Sequence, residues 1–270
     1  MNLSNKDYMN GIEKERHMEF SRSIIEGVEI KWCRNDLHAY KSHVHNELSL
    51  GYIIEGTTDL TLNDGTIFYE TGDGVIIPPL MTHRCAPKDI NHWVYVMLFV
   101  DPCYYGDLVS FNQAKKLTGN QAQKLRGFIE QLLTEETPDI LENILIELLI
   151  EFGEKEISET IATTTIDTVK TIHDYILSHV NDVITLDKLQ QITGLNKFTI
   201  IRNFKKLYVT TPAAYHLQYR VAEAKRLLSK GVDVFEICEE LRFYDQAHLI
   251  REFKKMYGIT PVTYVEQLRG

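Results

Sequence analysis

Arg202-Asn203-Phe204-Lys205-Lys206-Leu207-Tyr208, followed by Thr211-Pro212 and Tyr215, decides how this chain is read, because the stretch occurs twice. The second copy is Arg251-Glu252-Phe253-Lys254-Lys255-Met256-Tyr257, followed by Thr260-Pro261 and Tyr264, at a constant offset of 49 residues. Upstream, Leu189 matches Ile237 and Leu195 matches Phe243 at an offset of 48, so the second unit has one extra residue in its turn. Self-similarity at a fixed period marks a duplicated supersecondary unit.

Each copy has the physical marks of a helix-turn-helix. In the first, Leu186, Leu189 and Ile192 line one face of a short helix, Gly194 supplies the turn, and Asn196 can cap the next helix. In the second, Val234, Ile237 and Leu241 form the face and Asp245 is the cap. The helix after each cap buries Ile200 and Phe204, or Leu249 and Phe253. Its other face then carries Lys197, Phe198, Thr199, Ile201 and Arg202 in the first unit, and Gln246, Ala247, His248, Ile250 and Arg251 in the second. Arginine and glutamine can pair bidentately with guanine or adenine edges, and Lys205, Lys206, Lys254 and Lys255 lie where phosphates would be met. The connecting helix, Pro212–Ser229, would span roughly 27 Å at about 1.5 Å per residue. That can hold two recognition helices near one DNA turn apart, on the order of 34 Å.

The net charge of −9 looks wrong for a DNA binder until the chain is divided. Residues 1–163 hold 14 basic against 26 acidic side chains, a net of −12, whereas residues 164–270 hold 15 against 12, a net of +3. Only the C-terminal part can meet phosphates. Helical periodicity there predicts seven helices, 166–180, 185–193, 197–208, 212–229, 234–242, 246–257 and 261–268.

Residues 164–270 resemble the DNA-binding domain of AraC/XylS-type transcription regulators over their whole length. The residues that carry this are Leu189, Gly194-Leu195, Arg202-x-Phe204-Lys205-Lys206, Thr211-Pro212-x-x-Tyr215, Arg220-x-x-x-Ala224-x-x-Leu227-Leu228, Ile237-Cys238, Phe243-x-Asp245-Gln246-x-His248-Leu249-x-Arg251-x-Phe253-Lys254-Lys255 and Gly258-x-Thr260-Pro261. The sequence departs from the pattern at Val209 and Arg242, where glycine is usual, at Cys238, where alanine is usual, and at Ile201, where a small polar residue is common. The resemblance implies a ligand-binding or dimerisation domain ahead of the DNA-binding one, often a cupin-like barrel, and double-stranded DNA, a small-molecule effector and RNA polymerase as partners.

The N-terminal part agrees. Short runs rich in Val, Ile, Tyr and Thr at 29–33, 43–55, 57–62, 66–69, 74–77 and 93–100, with a hairpin signal at Asn63-Asp64-Gly65, suggest a sandwich or barrel. His43-Val44-His45-Asn46-Glu47, Gly56, Gly72-Asp73, Ile77-Pro78-Pro79 and His83-x-Cys85-x-Pro87 resemble the cupin-like barrel. On a strand, His43, His45 and Glu47 share one side, and His83 arriving from a later turn makes a set able to hold an effector or a divalent metal. Tyr52, Trp93 and Tyr95 are candidates for an apolar pocket around it. Segments 121–134 and 139–152 turn helical, the second with an apolar face of Ile140, Leu141, Ile144, Leu145, Leu148, Leu149 and Phe152 that needs a partner, either the barrel or another copy of the chain.

The organisation expected is an α+β chain: a cupin-like sensing barrel at 1–105, a helical dimerisation segment at 106–157, a linker at 158–165 and the all-α DNA-binding domain at 166–270, with helix-turn-helix units at 185–208 and 234–257. The charged start and the lack of a long apolar run argue against a signal peptide or membrane span, so a cytoplasmic protein is expected, and the helices at 121–152 suggest a homodimer. Four scattered cysteines, Cys33, Cys85, Cys103 and Cys238, argue against a disulfide framework. Rival readings are a cupin-type metalloenzyme, for which Ser49 stands where the catalytic glutamate would fall, and an effector-free architectural DNA protein. No catalytic residue is expected.

Overall fold

The computed structural model describes residues 16–36, 42–63, 65–105, 109–134, 137–154, 164–208 and 210–269, with the side chains at 103, 139, 164–167 and 198 excepted. The sequence before residue 16, most of the expected linker, Asp64 and Val209 lie outside them.

Alternating apolar residues build two facing sheets. One has six strands in the order β1 (His17–Arg22), β2 (Val28–Arg34), β8 (Val94–Val100), β3 (Leu48–Glu55), β6 (Gly74–Ile77), β9 (Lys115–Leu117); the other has three, β5 (Thr66–Glu70), β4 (Thr57–Thr61), β7 (Arg84–Pro87). The β4–β5 hairpin forms across Asn63 and Gly65 as its turn residues imply, with the Leu62 N–H donating to the Gly65 carbonyl. Strands β1, β7 and β9 have no counterpart among the expected strands, being short or highly charged.

Period-two alternation gives the six-stranded sheet two cores. Ile30, Trp32, Leu48, Leu50, Ile76, Val96 and Leu98 face α1 (Gly119–Leu132) and α2 (Pro138–Phe152). The opposite face, with Phe20, Ile53, Val75, Tyr95 and Phe99, looks toward the smaller sheet and part of the C-terminal domain. The apolar stripe expected as a dimer seam is used inside the chain: Leu141, Leu145, Leu148, Leu149 and Phe152 are buried in the first core, the half-buried Ile144 packs against it, and Ile140 and Ile150, each 49% exposed, face away. The stripe was legible, but periodicity carries no information about which surface covers it.

The C-terminal helices are α3 (Thr164–Ser178), α4 (Leu186–Thr193), α5 (Lys197–Tyr208), α6 (Pro212–Ser229), α7 (Val234–Glu240), α8 (Gln246–Tyr257) and α9 (Pro261–Arg269). Pro212 sits in the first turn of α6, where its missing N–H is harmless, and the Thr211 hydroxyl caps it by accepting from the Ala214 N–H. None of the helices among the described residues is long and apolar enough to cross a membrane.

This domain docks on the barrel through specific polar contacts. Gln267 of α9 satisfies the edge of β1 twice, its amide donating to the Met18 carbonyl and accepting from the Phe20 N–H, both at 3.1 Å. From α6, Tyr215 donates to the Leu80 carbonyl at 3.0 Å and Gln218 to the Ser42 carbonyl at 2.9 Å, while Asn46 donates to Glu223 at 3.2 Å.

Candidate functional site

Two surfaces carry chemistry. The first is the pair of helices α5 and α8, each started by a capped turn. Asn196 accepts from the Thr199 N–H at 2.9 Å and Asp245 from the His248 N–H at 2.6 Å, each relieving a donor that the helix leaves unpaired. The first turn uses Gly194 in the left-handed region (φ +69°). In the second unit Arg242 adopts φ +52°, a conformation that costs a side chain roughly 1–2 kcal/mol. Arg220 of α6 holds that turn: its guanidinium donates to the Leu241 and Arg242 carbonyls at 3.2 and 2.9 Å and lies 4.8 Å from the Phe243 ring centre. This accounts for the departure from glycine at that position.

Burial sorts the faces. Ile200, Phe204, Leu249 and Phe253 are fully enclosed. Asn196, Lys197, Arg202, Lys205, Lys206, Gln246, Ala247, Arg251, Lys254 and Lys255 are exposed, while Thr199, Ile201, His248 and Ile250 are half-buried. Some of the cations are partly engaged within the chain: Lys197 with Asp187, Arg251 with Glu252 at 3.6 Å, and Lys255 with Glu252 at 2.7 Å. The side chain of Phe198 lies outside the described set.

The second surface is a pocket between the two sheets. Its walls include Tyr52, Trp93 and Tyr95, as expected, together with His45, His83 and a residue that no motif singled out, Lys31. Lys31 is 1% exposed, and among the described residues no carboxylate lies within ion-pair distance of it. Its ammonium sits 5.4 and 5.5 Å from the ring centres of Phe20 and Tyr95. Burial pulls its pKa down to about 8, because removing water penalises the charged form. The only trace of Lys31 in the sequence is a charge between Ile30 and Trp32, on a strand that also carries Glu29 and Arg34.

Three of the four residues expected at the sensing face come together. The rings of His43, His45 and His83 lie 4.4–5.2 Å apart, all three buried. They do so by another route than strand alternation. Residues 43–47 precede β3, because His43 pairs with His83 as an isolated bridge and the His45 carbonyl accepts from the Leu80 N–H at 2.7 Å. Burial pushes the His83 imidazole down to about 4, and its Nδ1 is fixed on the Met81 carbonyl at 2.9 Å.

Glu47 does not join them. Its Oε1 binds the Lys225 Nζ at 3.0 Å, and the same ammonium binds Glu29 Oε1 at 2.7 Å, with Tyr264 donating to the other oxygen of Glu29. Burial alone would lower Lys225, but the two carboxylates hold its ammonium above the usual lysine range. Two acids share one base, so a negative charge is in surplus. Burial and Glu47 accordingly raise Glu29 despite the pull of Lys225. Lys225 belongs to α6 and both glutamates to the barrel, so this triad ties the sensing and DNA-contacting halves together. No sequence motif marked it.

A model described as an AraC-like ligand binding domain matches residues 32–163, and one described as a helix-turn-helix domain matches residues 189–267. The HTH-type transcriptional regulator YbfI of Bacillus subtilis (strain 168) is 24% identical over 229 residues, covering 79% of this chain and 82% of the relative. Among solved structures, an apo form of ToxT from Vibrio cholerae strain SCE256, carrying a lysine-to-alanine substitution, superimposes with a TM-score of 0.60 at 10% identity, over 92% of this chain and 100% of that one. Unsaturated fatty acid bound wild-type ToxT from the same strain gives 0.58 at 12% identity, over 95% and 98%. With a ligand-binding domain of this type ahead of a duplicated helix-turn-helix, the chain belongs to the AraC-type transcription regulators.

Proposed function

We propose that this regulator senses a small organic acid with an apolar body, taken up in the barrel cavity with its carboxylate on Lys31. The observation that carries the proposal is the Lys31 ammonium itself, enclosed in an apolar cavity without an ion-pair partner among the described residues. A buried cation is costly until an anion meets it. Aromatic and aliphatic walls with one convergent charge suit an amphipathic acid. The ToxT structures with a bound unsaturated fatty acid and with (E)-4-(8-methylnaphthalen-1-yl)but-3-enoic acid concern another protein of this fold, and both ligands belong to that class.

At the other surface, Arg202, Gln246, His248 and Arg251 would read base edges, and Lys205, Lys206, Lys254 and Lys255 would meet phosphates, supported by their exposure on α5 and α8. Asn196, Lys197, Phe198, Thr199, Ala247 and Ile250 complete that surface, and the half-buried Ile201 would make the first helix less selective than the second. The protein would act in the cytoplasm as a regulator and not as an enzyme. A homodimer and a contact with RNA polymerase stay within this proposal, the dimer using the outer side of α2, since its inner side is covered by the barrel.

The test is a calorimetric titration of the full chain with a medium-chain fatty acid and with the corresponding alcohol. The acid should bind at least tenfold tighter, and Lys31→Met should abolish the difference. Equal binding of acid and alcohol would overturn the assignment.

A further inference from the structure

We propose that His43, His45 and His83 form a binding site for one divalent transition-metal ion of the zinc type. Each residue offers a ring nitrogen, and these atoms all lie within 4.8 Å of one another. Zn–N bonds of about 2.0–2.1 Å in a tetrahedron put ligand nitrogens roughly 3.3 Å apart. The nitrogens therefore need to close by about 1.5 Å at most, within reach of side-chain rotation alone.

The backbone under them is already fixed. His43 and His83 exchange two N–H···O bonds of 3.0 Å, and His45 is anchored by the Leu80 N–H. The His83 Nδ1 donates to the Met81 carbonyl, which leaves Nε2 as the ligand atom. This is the second-sphere arrangement that orients metal-binding imidazoles.

The donor set also argues for which ion. Three nitrogens without a carboxylate favour zinc, nickel or cobalt over magnesium or calcium, which take oxygen ligands. Glu47, the nearest acid in sequence, is held by Lys225 and adds no oxygen to the set. His45 and His83 line the cavity, so a fourth position would open into it for water or for a group of the bound effector. In this respect the site rests on the effector reading only for its consequence; the ion would bind whether or not an acid does. Its consequence would reach the DNA-contacting half, because the His45 ring lies 5.8 Å from that of Tyr257, the last residue of α8.

The full chain, stripped of metal with a chelator and desalted, is titrated with Co²⁺ and, separately, with Zn²⁺ in a calorimeter. The expected result is one ion per chain, with the intense visible bands of a tetrahedral cobalt centre. His43→Gln, His45→Gln and His83→Gln should each weaken binding roughly a hundredfold or more. His17→Gln and His92→Gln, on the barrel surface, should leave it unchanged. Should a core variant fail to fold by circular dichroism, the cobalt spectrum of the unaltered chain still decides. Absence of binding, or a weak octahedral spectrum, overturns the proposal, as does binding that survives all three core substitutions. The test is separate from that of the acid pocket, since Lys31→Met removes the preference for the acid over the alcohol and leaves the cobalt spectrum intact.

Discussion

Lys225→Met should be among the most damaging single changes in this chain outside its apolar core. The lysine side chain is 2% exposed, and its two partners, Glu29 and Glu47, are 13% and 20% exposed. Removing one partner of such a buried network costs about 3–5 kcal/mol, because the remaining charges keep their desolvation penalty and lose their compensation. Here two carboxylates would be left facing each other, which puts the expectation at the upper end, about 4–5 kcal/mol at pH 7. Methionine keeps most of the volume, so cavity formation adds little. The assay is urea unfolding followed by circular dichroism and by the fluorescence of Trp32 and Trp93, both in the barrel.

The loss should depend on pH with a defined sign. Glu29 binds its proton more tightly in the folded chain than its ordinary value of 4.5 implies. Its contribution thus favours the fold below that value and is lost as pH rises through the raised folded one. Without Lys225 the folded value rises further. The deficit of the variant is then largest at neutral pH and narrows on acidification toward 4.5. The triple variant Glu29→Gln, Glu47→Gln, Lys225→Met should recover most of the stability, since none of the triad's charges remains buried. A deficit under about 1 kcal/mol at pH 7, the size of an exposed pair, or one that is constant with pH, would refute this account of the docked domains.

Three further outcomes can be checked. An acid bound at Lys31 should take up protons: with the lysine near 8 in the empty cavity and restored upward by the bound anion, uptake is about half a proton at pH 8, and affinity falls as pH rises beyond it; calorimetry in buffers of different ionisation enthalpy measures this, and Lys31→Met should remove it. Alanine at Lys205, Lys206, Lys254 and Lys255 should weaken binding to all DNA sequences and flatten the salt dependence by about one unit of slope per lysine that meets a phosphate; an unchanged slope in filter-binding titrations would exclude these contacts. Glutamate at Leu145 or Leu149, both fully buried against the barrel, should destabilise the fold by more than about 3 kcal/mol in a thermal or urea melt, and a well-folded monomer would show that the stripe belongs to a dimer seam after all.

The duplicated helix-turn-helix was determined by sequence alone, because its signals act over a few residues. Cap residues Asn196 and Asp245, the glycine at 194 and the apolar spacing of Ile200 with Phe204 and Leu249 with Phe253 each specify local backbone or one helix face. The approach of His43, His45 and His83 was also legible, though from alternation on a strand that begins only at Leu48; what joins them is a backbone bridge across 40 residues. Other features depended on the tertiary structure. The wide apolar face of α2 shows that it must be covered, and only the packed chain shows that its own barrel covers it. Lys225 and Glu47 lie 178 residues apart; Lys225 alone reads as an ordinary surface charge, and Glu47 reads as a partner of the histidines beside it. Lys31 becomes informative only once a cavity encloses it. Short-range chemistry leaves a trace in neighbouring residues, whereas the energy of a buried charge depends on what the fold brings around it and how much water it excludes.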